Sequence, residues 1–196
     1  MTNHIRGYAA GAALLTLLTA CKHSEPLPLG SHEPIPTVLT DPCPAPGELL
    51  SKAEQPTTGK RLPDVTLPCL GGAGTVNMRA LGRTPTVINL WGSWCFPCRT
   101  EMPEFQKEHF AFGTKVRFLG VDTKDFEREG LAAIQRAGVG YPSVFDKDER
   151  IKRSIGTRSL PTTVLVGADG LIKNVHVGEL TAAELRADVA KYLGVR

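Results

Sequence analysis

The stretch Asn89-Leu-Trp-Gly-Ser-Trp-Cys-Phe-Pro-Cys-Arg-Thr-Glu-Met-Pro103 places two cysteines, Cys95 and Cys98, directly after an apolar run. Thr86 to Trp91 is rich in β-branched and aromatic residues and reads as a buried strand. Residues 95 to 111 read as a helix that Pro103 should kink, because the proline ring removes a backbone donor and crowds the preceding turn. The cysteine pair therefore falls where a strand hands over to a helix N-terminus. Unpaired N–H groups and the helix dipole stabilise an anion there, so Cys95 is expected to be the thiolate and Cys98, about one turn further in, its sheltered partner.

Two other readings of the pair compete. A structural zinc site needs four ligands, and one C-x-x-C with no second one supplies two. His109 and His176 form no paired ligand motif and read as ordinary residues on a helix flank and the final strand, so no metal and no cofactor are expected. The Gly71-Gly72-Ala73-Gly74 run reads as a hairpin tip; a phosphate cradle would need a following helix and a lysine that are not placed there.

Working outward, Val116 to Val121 is a strand, Asp125 to Ala137 a helix, Ser143 to Phe145 a short strand, and Ile151 to Ile155 a helical turn. Thr162 to Val166 and Leu171 to Val177 flank an Asp169-Gly170 turn, a hairpin signal. Thr181 and Glu184 make a capping box for a last helix carrying Leu185, Val189 and Leu193 and ending at Gly194. Strands alternating with helices, then a hairpin and a helix, predict an α/β domain with a mixed central sheet covered on both faces.

The chain of 196 residues, 41% hydrophobic, suits one domain plus flanking segments. Its formal charge of +3 is small and the charges are interspersed, so no nucleic-acid footprint is present. His4 and Arg6 precede a short apolar stretch, which reads as a signal peptide over residues 1–20. Leu18-Thr19-Ala20-Cys21 resembles the lipobox of bacterial lipoproteins and implies lipidation at Cys21 and membrane attachment. Residues 21–58 hold eight of the 15 prolines and no aromatic residue and read as a tether, which at about 3.1 Å per residue could span about 60 Å in its first 20 or so residues. The domain then occupies 59–196. Of five cysteines, Cys43 and Cys69 are left over once Cys21 is lipidated and Cys95 pairs with Cys98; export makes a structural disulfide between them the expectation.

WCFPC after a buried strand, with SLPTT some sixty residues later, resembles a thioredoxin-fold oxidoreductase. Together with the lipoprotein signal, WGSWCFPCRTEMP, YPSVFDKD and GTRSLPTTVLVGADG are similar to the membrane-anchored TlpA/ResA-like redoxins, over about residues 60 to 194. The resemblance implies a thioredoxin fold, a central mixed β-sheet flanked by helices, with an N-terminal β-hairpin extension. It implies that Cys95 attacks, Cys98 resolves, Glu101 tunes or shuttles protons, and Pro161 is a cis-proline facing the disulfide. Trp94, Phe96 and Leu160 would contact substrate. Asn89 stands where thioredoxins carry a buried acid, so that acceptor is absent.

The activity implied is reduction of disulfides in exported proteins, among them those needed for cytochrome c maturation, with electrons from a membrane thiol-disulfide donor. An extracytoplasmic oxidase or isomerase of the same fold is the alternative, and a copper-binding chaperone using His176 a more distant one. A peroxidase is disfavoured because no T-x-x-C arrangement with an activating arginine precedes the helix.

Overall fold

The computed structural model describes residues 1–2 and 40–196. The apolar stretch read as a signal, Cys21 and the first part of the proline-rich segment lie outside the described residues.

Among the described residues, a 3-10 turn at Pro46–Glu48 precedes a two-stranded antiparallel hairpin, β1 (Thr66–Pro68) and β2 (Thr75–Asn77), with the Gly71–Gly74 run at its tip. Then follow β3 (Thr86–Trp91), α1 (Phe96–Phe112), β4 (Arg117–Thr123), α2 (Glu127–Ala137), β5 (Ser143–Asp146), α3 (Arg150–Ile155), β6 (Thr162–Val166), β7 (Ile172–Val177) and α4 (Ala182–Asp188). The five-stranded sheet has the order β5-β4-β3-β6-β7. Its β3, β4 and β5 are parallel, whereas β6 and β7 join antiparallel, giving the mixed sheet expected of a thioredoxin fold.

β3 is central, and all six of its residues are buried, which explains why it reads as a continuous apolar run and not an alternating one. Its side chains still alternate between two cores. Val87 and Trp91 join Cys95, Cys98, Met102 and Phe105 of the α1 side, with Leu185 and Val189 of the C-terminal helix. Ile88 and Leu90 join Leu67 and Val76 of the hairpin and Ile151 of α3 on the other side.

α1 runs through Pro103 as one helix of 17 residues, so the proline does not end it. α2 begins at Glu127, two residues later than expected, because the Asp125 side chain caps Phe126 N–H outside the helix. The Thr181–Glu184 capping box is formed as read. The last helix, however, widens after Asp188 into a π-helical turn, Val189–Leu193, before Gly194 stops it in the left-handed region at φ 70°.

The last part of the proline-rich segment lies along the domain. Leu49 and Leu50 are buried, Leu50 N–H donates to Ala80 O at 2.8 Å, and Asp41 N–H donates to Gly140 O at 2.7 Å. Cys43 and Cys69 are disulfide-bonded across 26 positions of chain. The tether read over 21–58 thus has residues 40–58 fastened to the fold, by the few large aliphatics it contains and by one cross-link.

Candidate redox site

β3 ends at Trp91, and Gly92, Ser93 and Trp94 turn the chain into α1. Cys95 is the N-cap residue of that helix: its backbone is extended, its N–H donates to Gly92 O at 3.0 Å, and its Sγ accepts from Cys98 N–H at 3.3 Å. A cysteine thus takes the place where Ser, Thr or Asp ordinarily satisfies a free N–H at a helix start. An anionic sulfur there gains from both the hydrogen bond and the dipole. Cys95 and Cys98 are joined as a disulfide; Cys95 is 5% exposed and Cys98 fully buried, so an incoming group meets Cys95 first.

Trp94 and Phe96 flank Cys95 and stand out in solvent, 54% and 71% exposed. The Trp94 indole N–H donates to Lys124 O at 3.0 Å, and the Arg99 guanidinium lies 5.7 Å from the centre of the Phe96 ring. The Leu160-Pro161 bond is cis. Because Leu90 pairs with Thr162 and the strands are antiparallel, Pro161 falls one position beyond that pair, beside the end of β3 from which the Cys95 turn departs.

Glu101 follows Cys98 by three residues and sits on the inward face of α1, only 2% exposed. Its Oε1 accepts from Asn89 Nδ2 at 2.7 Å and its Oε2 from Leu180 N–H at 3.1 Å. Burial pushes its carboxyl from the ordinary 4.5 up to about 7, the two hydrogen bonds holding it down and the Glu179 charge adding to the rise. A solvent-facing helix carboxylate is thereby ruled out for Glu101. Asn89 supplies no acid, but it hydrogen-bonds one delivered from the helix.

Other groups here gave no signal in the sequence reading. The Tyr141 phenol is completely buried and pushed upward, by burial first and by the Glu101 charge second. Asp125 accepts from Ser93 N–H at 2.5 Å and from Ser93 Oγ at 2.9 Å. In the sequence Asp125 reads as the start of a helix, and only the fold brings it to the turn 32 positions away. His109 lies near the end of α1 with Nε2 3.0 Å from Asp41, and His176 lies on β7 opposite Thr163. The structure does not bring the two histidines together with the cysteine pair.

The sequence pattern of the AhpC/TSA family matches residues 58–175. The chain is 33% identical over 149 residues to the thiol:disulfide interchange protein DsbE of Allochromatium vinosum, covering 73% of this chain and 81% of that protein. It is 32% identical over 108 residues to the thiol-disulfide oxidoreductase ResA of Halalkalibacterium halodurans, covering 55% of this chain and 61% of that protein. Among solved structures, the thioredoxin domain of a thiol-disulfide oxidoreductase from Bacteroides vulgatus superposes with a TM-score of 0.59 at 26% identity, over 70% of this chain and 98% of that one.

Proposed function

Since the chain belongs to the AhpC/TSA family, and its matched segment carries the cysteine pair with Glu101 and Pro161, we propose that it is an extracytoplasmic thiol-disulfide oxidoreductase that reduces disulfides of exported proteins. The observation that carries this reading is Cys95 at the N-cap of α1, bonded to a fully buried Cys98. The reduced enzyme's Cys95 thiolate attacks a substrate disulfide and expels one substrate sulfur as a thiolate, which takes up a proton. Cys98, losing its own proton, then attacks Cys95 of the mixed disulfide, releasing the second substrate thiol and closing the Cys95–Cys98 bond. Two electrons leave the enzyme in each cycle and must be returned by a membrane thiol-disulfide donor.

Glu101 serves the second step. A carboxyl that titrates near neutrality can take the Cys98 proton and release it again, and burial keeps that exchange within the protein. Trp94, Phe96, Leu160 and Pro161 form the surface that receives the substrate segment around its cysteines. Cys43–Cys69 is structural.

Residues 1–20 act as a lipoprotein signal, Cys21 carries the lipid, the proline-rich segment ahead of residue 40 tethers a domain to which 40–58 are fastened, and the protein works at the outer side of the bacterial cell membrane. The names of the DsbE and ResA relatives support thiol-disulfide exchange as the reaction; the substrates of this reading are exported cysteine pairs, including those of proteins awaiting haem.

A Cys98→Ser variant, expressed in its native membrane, should accumulate mixed disulfides at Cys95 whose partners are exported cysteine proteins. A Cys95→Ala variant that kept full disulfide-reducing activity would sink the reading. Equilibration with glutathione separates the alternative: a potential near about −270 mV marks a reductase, one near about −120 mV an oxidase.

A further inference from the structure

The end of β4 holds acid side chains that no step above employs. Asp122 is fully buried, in register with Trp91 on β3 and with Phe145 on β5. Neither of its carboxyl oxygens has a donor among the described residues. A Cβ built on Gly130 would lie 2.1 Å from Asp122 Oδ2, so the glycine, set inside α2, is the opening that this carboxyl fills. Glycine in a helix interior costs about 1 kcal/mol relative to alanine, which the fold accepts here.

The neighbouring acid is Asp125, itself 8% exposed. Its two oxygens accept from Ser93 N–H, Ser93 Oγ and Phe126 N–H, at 2.5, 2.9 and 2.8 Å. With the Trp94 indole bound to Lys124 O, the β4–α2 loop grips two consecutive residues immediately before Cys95. A buried, ionised carboxylate without donors is too costly to keep, so Asp122 retains its proton. Burial pushes it up to about 9, with the Asp125 charge next and that of Glu127 after it. As an un-ionised acid Asp122 has a proton to donate, and Asp125 is the neighbouring acid whose charge bears most on it.

We propose that Asp125 is a positioning residue for Cys95, fixing the turn that sets the sulfur at the start of α1, and that Asp122, keeping its proton, donates it toward Asp125 and so props that side chain. Both roles depend on Cys95 being the attacking sulfur, as under the proposed function.

Two measurements on the full chain test this. In the first, the reduced protein reacts with a small aromatic disulfide, and the second-order rate of Cys95 is followed. Asp125→Ala removes every acceptor for Ser93 and should slow it at least about tenfold, since small misplacements of a reacting group cost about that or more. Asp125→Asn keeps an acceptor for Ser93 N–H and should recover most of the loss. No loss with alanine, or a loss that asparagine does not recover, overturns the positioning role.

The second measurement is unfolding of wild type and Asp122→Asn at several pH values. The titratable groups facing Asp122 are Asp125 from the loop and Glu127 from the first turn of α2; Trp91 and Phe145 are its register partners on the flanking strands. Because folding raises its titration point, wild type loses stability as pH climbs from the ordinary carboxyl range to about 9. The folding constant of Asp122→Asn relative to wild type should therefore grow about tenfold per pH unit across that span. A ratio that stays flat above pH ~5 means that Asp122 ionises ordinarily, and overturns the prop. Should the variant not fold, the infrared carbonyl band of a protonated carboxyl in wild type at pH 8, above the Glu101 range, decides: its presence supports the prop and its absence overturns it. If Cys95→Ala retained full reducing activity, the functional reading would fall while the Asp122 slope still decided this arm.

Discussion

Replacing Glu101 by Gln removes the buried proton site and leaves its shape. In the folded, oxidised protein the carboxyl titrates near 7 against an ordinary 4.5, with burial the main cause. The fold prefers the protonated acid, so the stability this group contributes is complete below about 4.5 and is lost as pH rises through about 7. At about 1.4 kcal/mol per unit, the loss amounts to roughly 3 kcal/mol between pH 4 and pH 8. Gln does not titrate. It can accept from Leu180 N–H with Oε1 and donate with Nε2 to Asn89 Oδ1, an atom that has no partner at present, once the Asn89 amide turns over. The stability of Glu101→Gln minus that of wild type should thus climb by roughly 3 kcal/mol from pH 4 to pH 8, read from urea unfolding of the oxidised proteins. In the same variant, the rate at which Cys98 resolves a mixed disulfide should lose its inflection near neutrality. A stability difference that stays constant over this range would show that Glu101 titrates as an exposed acid does, and the proton role assigned to it would fail.

Three further changes probe other parts of the molecule. Replacing both Cys43 and Cys69 by alanine opens a 26-residue separation and should cost about 3 to 4 kcal/mol by chain entropy, seen as a lower urea midpoint, while dithiol exchange at Cys95 continues. Gly130→Ala, which in an ordinary helix gains about 1 kcal/mol, should destabilise here because the new methyl meets Asp122; the sign of the change in melting temperature checks this, and Asp122→Ala should restore the gain. Cys21→Ser should abolish incorporation of labelled fatty acid and release the protein from washed membranes, as the loss of a lipid anchor requires.

The order of strands and helices was legible because it is written in local patterns: the β-branched run of β3, the Asp169-Gly170 turn, the Thr181–Glu184 capping box. Cys95 and Cys98 were legible for the same reason, since a strand end and a helix start lie within a few residues. The setting of Glu101 was not legible, because its burial depends on Asn89 from β3 and on Leu180, 79 positions away. Asp122 looks like a loop acid and Asp125 like the first residue of a helix until β4 is placed beside β3, and Gly130 has no reason within its own helix. The packing of residues 40–58 escaped a compositional reading, because Leu49 and Leu50 are two side chains in a proline-rich segment and composition averages them away.

The two sulfurs that exchange are also members of the hydrophobic core, and one of them never meets solvent in the oxidised fold. Catalysis and cohesion therefore share atoms, and a thermodynamic cycle links them: the difference in folding free energy between the oxidised and reduced forms equals the gap in reduction potential between the folded pair and the same pair in the unfolded chain. About 30 mV in that gap corresponds to about 1.4 kcal/mol. Melting the protein with and without its disulfide is thus an electrochemical measurement. If the oxidised form melts higher, the fold drives electrons outward to substrates; if the reduced form melts higher, it draws them in.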